Sequence, residues 1–210
     1  NKLKIKEIPS GKKVFDWTIP DEWNAKDAWI KCPSGKKIAL YKKNNLHLVS
    51  YSKKIHSKLT LNELEKHLHY IKDQPNAIPY TTSYYNKNWG FCISYNERKK
   101  LKKGIYEVYI DSSFTKGSLT YGEILIPGKQ KKEILLSTYI CHPSMANNEL
   151  SGPSVTIFLA KWLMEKKRRY SYRIIFIPET IGSISYLKKN VKILKKRMVA
   201  GFNITCVGDD

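Results

Sequence analysis

The sequence is short of cysteine, of acidic residues and of long apolar runs, and each shortage closes off a class of protein. Its four cysteines, Cys32, Cys92, Cys141 and Cys206, are widely spaced without a CxxC pair, which fits buried thiols in a reducing compartment rather than a disulfide framework. No stretch approaches the roughly 18 apolar residues of a membrane-spanning helix and no signal-peptide pattern is visible, so the expected location is cytoplasmic, with no membrane partner. There is no GxSxG elbow, P-loop or HExxH motif, which disfavours a serine hydrolase, an NTPase and a zincin. Acidic residues number 18 against 38 Lys and Arg, a formal charge of +20 that raises the question of a nucleic-acid partner. Most of the bases are lysines spread from Lys2 to Lys196 among Asn, Ile and Tyr, as composition bias produces. The runs Lys99-Lys100, Lys102-Lys103 and Lys166-Lys167-Arg168-Arg169 stand beside turn or helix-end signals, where cations face water. No specific nucleic acid is expected, and a basic nucleic-acid binder remains only as a third reading.

The 210 residues suffice for one full domain or for a larger domain with an insertion. With no initiator Met, and an end directly after an apolar strand-like run, the chain reads as part of a longer one. Short β pieces bounded by turn residues open it: Lys2 to Ile8, Val14 to Ile19, and Ala28 to Cys32. Thr60-Leu61-Asn62-Glu63 has the spacing of a capping box, and Leu61, Leu64 and Leu68 continue one face, which predicts a helix ending before Pro75. Pro79 to about Pro127 is rich in Tyr, Trp and Ile, with alternation over Tyr106 to Asp111 and Leu119 to Ile126, and reads as β-rich. These shifts assign residues 1–50 and 119–210 to one domain and 51–118 to a small β-rich insertion.

The character then changes. Glu133 to Ile140 is a nearly continuous apolar strand, and Ser151-Gly152-Pro153 opens a helix reaching about Lys167. Ser151 is the expected N-cap, with Val155, Phe158, Leu159, Trp162 and Leu163 on one helical face. A strand over Tyr172 to Ile177, a helix near Ser183 to Lys195 and a strand over Met198 to Val207 follow. This alternation predicts the α/β class: right-handed crossovers and a mainly parallel sheet with helices on its faces.

Ligands of such sheets bind beyond the carboxyl ends of the strands. There the first strand delivers Cys141-His142-Pro143-Ser144 and then Asn147-Asn148-Glu149; the second delivers Pro178-Glu179-Thr180, and the third Gly208-Asp209-Asp210. Taken singly, His142 or Glu179 is more often a structural residue. Together with Glu149 and Asp209 they form the histidine-plus-carboxylate set that a hydrolytic Zn²⁺ or Mn²⁺ site needs, with a free carboxylate to take a proton from water. Asn147 to Gly152 also reads structurally, as a polar turn entering a helix, and Ser151-Gly152 would let the helix start approach the strand edge closely. His47, His56, His67 and His69 form no ligand pair.

Two strings, Ile140-Cys141-His142-Pro143-Ser144-Met145-Ala146-Asn147-Asn148-Glu149-Leu150-Ser151-Gly152 and Phe176-Ile177-Pro178-Glu179-Thr180-Ile181-Gly182-Ser183-Ile184, strongly resemble bacterial aminopeptidase-like proteins classed by domains of unknown function. Pro9-Ser10-Gly11, Phe15-Asp16-Trp17-Thr18-Ile19-Pro20 and Trp89-Gly90-Phe91-Cys92 look similar to the same family. The family is similar to co-catalytic zinc aminopeptidases, which implies a three-layer α/β/α sandwich with an inserted β domain, and a zinc cofactor of one or two ions. The resemblance implies that His142 is the first metal ligand, that Asn148 stands where the bridging Asp does, and that Glu179 is the general base. Three positions depart: Asn148 is neutral, Thr180 replaces the acid after the base, and Thr205 stands near the place of the third-strand Asp, with Asp209 and Asp210 a few residues on.

The resulting expectation is a metal-dependent hydrolase of a peptide or amide small molecule. Glu179 is its base, and His142, Asn148, Glu149 and Asp209 are its metal residues; homo-oligomerisation is left open. The alternative is a catalytically silent relative that holds a peptide or amino-sugar compound in the same crevice.

Overall fold

The computed structural model describes residues 2–208, and Asp209 therefore lies outside the described residues. In chain order the main strands are β1 (Lys4–Pro9), β2 (Glu22–Lys31), β3 (Ile55–Thr60), β4 (Ile105–Thr115), β5 (Ser118–Ile126), β6 (Glu133–Tyr139), β7 (Ser171–Ile177) and β8 (Met198–Asn203). The two long helices are α1 (Gly152–Glu165), between β6 and β7, and α2 (Ile181–Arg197), between β7 and β8. Contacts divide the chain into an α/β unit, Asn1–Asp21 with Lys116–Asp210, and a β-rich unit, Glu22–Thr115. The β-rich unit therefore opens at Glu22 rather than at residue 51. The reason is pairing: β2 runs antiparallel along β4 from Glu22↔Thr115 to Lys31↔Glu107, so the early strand belongs to the late one.

In the β-rich unit β4 lies between β2 and β3, and alternate residues such as Ala28, Ile30, Val108 and Ile110 point into its core. The capping box at Thr60 forms as expected: its hydroxyl accepts the Glu63 N–H and Glu63 accepts the Thr60 N–H. The helix it starts is only Leu61–Glu65, because Leu68–His69 pairs with Phe91–Cys92 and His67 stacks on Trp89 at 3.7 Å. Tertiary pairing overrides the helical spacing of the leucines.

The α/β unit holds a five-stranded sheet in the order β1-β5-β7-β6-β8. The strands β7, β6 and β8 are mutually parallel, whereas β5 and β1 join antiparallel, so the sheet is mixed. Period-two alternation along β7 sends Ile174 and Phe176 toward Ala160 and Leu163 of α1, and Ile175 and Ile177 toward Tyr186 and Leu194 of α2. One helix thus covers each face. The buried face of α1 is not the one its large apolar residues mark: Gly152, Thr156, Ala160 and Leu163 are buried, while Phe158 is 74% and Trp162 55% exposed. Small residues bring the helix axis close to the sheet, and the bulky stripe is turned away.

Near the amino ends of β6 and β7 the sheet buries charge. Arg173 forms a fork with Glu133, at 2.7 Å to Nε and 3.2 Å to Nη2, and its Nη1 also bonds Glu123. Glu123 further accepts the Tyr186 hydroxyl at 2.6 Å and pairs with Lys6, and Arg197 reaches Glu133 at 3.2 Å. Among the described residues no helix is long and apolar enough to cross a membrane.

Candidate functional site

The chain leaves β6 through α1 to β7 on one side, and returns from β7 through α2 to β8 on the other. Strand order reverses at β6, and such a reversal leaves a crevice beyond the carboxyl end. The three strand ends stay in register just past the sheet, with the Ile140 N–H on the Ile177 carbonyl at 3.2 Å and the Ile204 N–H on Ser137 at 2.8 Å. Beyond that point each chain takes a strained step: Ser144, Thr180 and Cys206 have φ of 66°, 54° and 47°. Positive φ is costly for any residue but glycine, and most so for β-branched Thr180.

His142 and Glu149 meet in the crevice, with Nδ1 to Oε1 at 2.5 Å and side chains 11% and 10% exposed. An ionised carboxylate only accepts, so Nδ1 donates. The other oxygen of Glu149 accepts the Cys141 N–H at 2.6 Å, so both of its oxygens are engaged. On its far side, His142 Nε2 is 3.4 Å from Glu179 Oε2, on a side chain 49% exposed. Tyr139 meets the His142 ring edge-on. Asn148 donates from Nδ2 to Cys206 Sγ at 3.7 Å, and its Oδ1 is buried without a hydrogen-bond partner.

Asn148 and Glu149 ride on a π-helical turn, Asn147–Ser151, that runs into α1. Ser151 is therefore helical and not the N-cap expected from its sequence position. Its hydroxyl instead donates to the Asn147 carbonyl at 2.7 Å and accepts the Val207 N–H at 2.9 Å, tying the turn to the end of β8. A Cβ at Gly152 would stand 2.2 Å from the Ile204 carbonyl oxygen and 2.6 Å from Thr138 Oγ1, so only glycine allows this approach.

The structure thus brings His142, Glu149 and Glu179 together, with Asn148 on the adjoining turn. It also adds Cys141, which the sequence reading left as a buried thiol. The Cys141 sulfur accepts the Glu179 N–H at 3.2 Å, and ligand atoms of Cys141, His142 and Glu149 all lie within 4.8 Å of one another. Burial pushes its thiol up to about 11; the Glu179 N–H opposes this shift, and the Glu149 and Glu179 carboxylates add to it. Its only signal in the sequence was adjacency to His142 past the end of a strand. His47 and His67 bond backbone carbonyls of the β-rich unit. Two clefts open at the site: one of about 550 Å³ lined by Ile140, His142, Met145 and Leu150, the other of about 340 Å³ lined by Tyr139, Glu179, Ser183 and Phe202.

The profile of the family described as Domain of unknown function (DUF4910) matches residues 1–210. The chain belongs to this family. This DUF4910 chain is 52% identical over 207 residues to a Clostridium acetobutylicum protein named for polysaccharide biosynthesis with an aminopeptidase-like domain, covering 99% of the chain and 48% of that protein. A crystal structure described as a peptidase from Clostridium acetobutylicum matches with a TM-score of 0.93 and 51% identity, over 99% of the chain and 49% of that structure. A zinc aminopeptidase from Bacillus subtilis shares the fold, with a TM-score of 0.64 and 14% identity over 99% of this chain and 59% of that one. The DUF4910 chain spans about half the length of the two Clostridium relatives.

Proposed function

We propose that the α/β unit, as part of a three-layer α/β/α arrangement, carries an amide-hydrolysing centre of aminopeptidase type acting on a peptide or related amide in the cytoplasm. The observation that carries this reading is the state of His142 at the strand-order reversal: Nδ1 is held by Glu149, and Nε2 is left facing Glu179. A ligating histidine commonly has its second nitrogen fixed by a carboxylate in this way.

The donors fit zinc: an imidazole nitrogen, a thiol, and a buried amide oxygen without a hydrogen-bond partner at Asn148. His142 and Asn148 would hold the ion, with Asp209 supplying a carboxylate. Glu149, both of whose oxygens are already bonded, serves the histidine ring instead of the metal. Bound there, zinc would polarise an amide carbonyl and lower the pKa of water toward about 7.

Glu179 Oε2 accepts the proton of water attacking the carbonyl carbon and returns it to the departing amine nitrogen. Its half-exposed side chain has room to turn between the two positions. The clefts beside His142 and Glu179 receive the two sides of the scissile amide.

Elemental analysis of the purified protein and hydrolysis of a panel of aminoacyl anilides test the reading. Zinc in stoichiometric amount is expected, with a rate that falls by about 10²–10⁴ in Glu179→Gln at unchanged stability. Absence of bound metal together with an unchanged rate in Glu179→Gln would end it. Substrate analogues that bind without being cleaved would leave the crevice as a binding site.

A further inference from the structure

We propose that Cys141 is itself a ligand of the metal ion, making the centre imidazole–thiolate in its first two donors. The inference rests on the hydrolytic reading of the same crevice.

The spacing is the first argument. Cys141 Sγ is 3.8 Å from His142 Nε2, the ring nitrogen on the side away from the Glu149 bond. Donors at about 2.3 Å (sulfur) and about 2.0 Å (nitrogen) from one tetrahedral ion stand roughly 3.5 Å apart, a few tenths of an ångström less than this separation. By contrast the 2.5 Å between His142 Nδ1 and Glu149 Oε1 is too short for two ligands of one ion and is a hydrogen bond.

The surroundings of the sulfur are the second argument. An ordinary buried cysteine behaves as a small apolar side chain. Cys141 is in neither apolar cluster of the α/β unit. Its described neighbours are the ring of His142, the carboxylate of Glu149 and the backbone N–H of Glu179. That N–H is 3.2 Å from Sγ and points at it, which suits a sulfur that carries negative charge.

The third argument comes from the adjoining turn. Asn148 Oδ1 is a buried acceptor left without a partner, the situation in which a cation supplies what no hydrogen-bond donor does. A neutral amide at that position removes one negative charge from the donor set, and a thiolate from Cys141 restores it. On binding, the Cys141 thiol loses its proton to solvent and the sulfur takes the metal, so uptake releases a proton. A thiolate shifts preference toward zinc, cobalt and cadmium and away from magnesium and manganese.

Cobalt(II) titration of the metal-free protein followed by absorption separates the outcomes. Expected are visible d–d bands together with a near-ultraviolet sulfur-to-cobalt charge-transfer band, with Cys141→Ser keeping the visible bands, losing the charge-transfer band and binding about tenfold or more weakly. Visible bands without charge transfer in the parent protein, or a charge-transfer band that survives in Cys141→Ser, overturn the cysteine assignment and leave the hydrolytic reading standing. No cobalt binding at all takes down both. Cys141→Ala, with urea midpoints for both variants, separates loss of the ligand from loss of the fold.

Discussion

The two ends of β6 and β7 both carry charge, and they are built in opposite ways. Near the amino end, Glu133, Arg173, Glu123 and Tyr186 close on one another, with Lys6 on the second oxygen of Glu123 and Arg197 adding a further bond to Glu133. At the carboxyl end, His142 and Glu149 are equally enclosed, yet Nε2 faces a half-exposed carboxylate, Asn148 Oδ1 has no partner, and three strained residues hold the chain in place. Burial of polar groups alone does not mark function, because both ends have it. What separates them is satisfaction: the closed network answers its own desolvation, whereas at the other end the buried Asn148 Oδ1 has no hydrogen-bond donor.

The largest effect that would test this contrast is on stability. Arg173→Ala leaves Glu123 and Glu133 as poorly compensated buried charges and should cost about 3–5 kcal/mol in urea unfolding. His142→Ala at the other end should cost no more than about 1–2 kcal/mol. Equal losses would erase the distinction between the two ends.

Gly152→Ala comes next, since its methyl group would meet the Ile204 carbonyl at 2.2 Å. A loss of about 3 kcal/mol is expected by the same measurement, although no ligand is touched. A variant as stable as the parent would show that the helix start is not pinned against the third strand end.

Thr180→Gly should act in the other direction and raise stability by about 1 kcal/mol, because glycine adopts the observed backbone without strain. Hydrolysis should fall in that variant as Glu179 loses its fixed approach. If the melting temperature drops instead, strain is not stored at that strand end.

The smallest effect is kinetic. The thiol of Cys141 is held up at about 11, so in the metal-free protein its reactive thiolate is scarce at any lower pH. At pH 8 its alkylation by iodoacetamide, followed site by site by mass spectrometry, should run about a hundredfold slower than that of an exposed thiol and climb with pH until about 11. A fast reaction at pH 8 would mean that the sulfur is already ionised and would close the gap between this end and an ordinary exposed site.

Much of the α/β unit was legible in the sequence because buried parallel strands are continuous apolar runs, and polar residues follow directly at their ends. That route anticipates that His142, Glu149 and Glu179 lie together beyond one sheet edge, and Ser151-Gly152 anticipates the close approach at Gly152. Periodicity could not say which face of α1 is buried, because Gly152, Thr156 and Ala160 pack by being small while Phe158 and Trp162 catch the eye by being large. Nor could it show that both oxygens of Glu149 find N–H donors, one on Cys141 and one on the His142 ring, which depends on distances that leave no trace in the sequence. The start of the β-rich unit was misplaced because strand pairing across most of its length leaves no local trace at Glu22.

The unit boundary has a consequence for chain entropy. To the α/β unit, everything from Glu22 to Thr115 is a single loop, and its two attachment points are held together by the Lys116–Asp21 ion pair at 2.6 Å and the Ser10 N–H on the Gly117 carbonyl at 2.9 Å. Closure entropy grows only with the logarithm of loop length, so trading that whole segment for a tight turn would gain roughly 3 kcal/mol and no more. The sheet that bears His142 and Glu179 can therefore host an insertion of almost any size at this point, provided that its ends return to the same place.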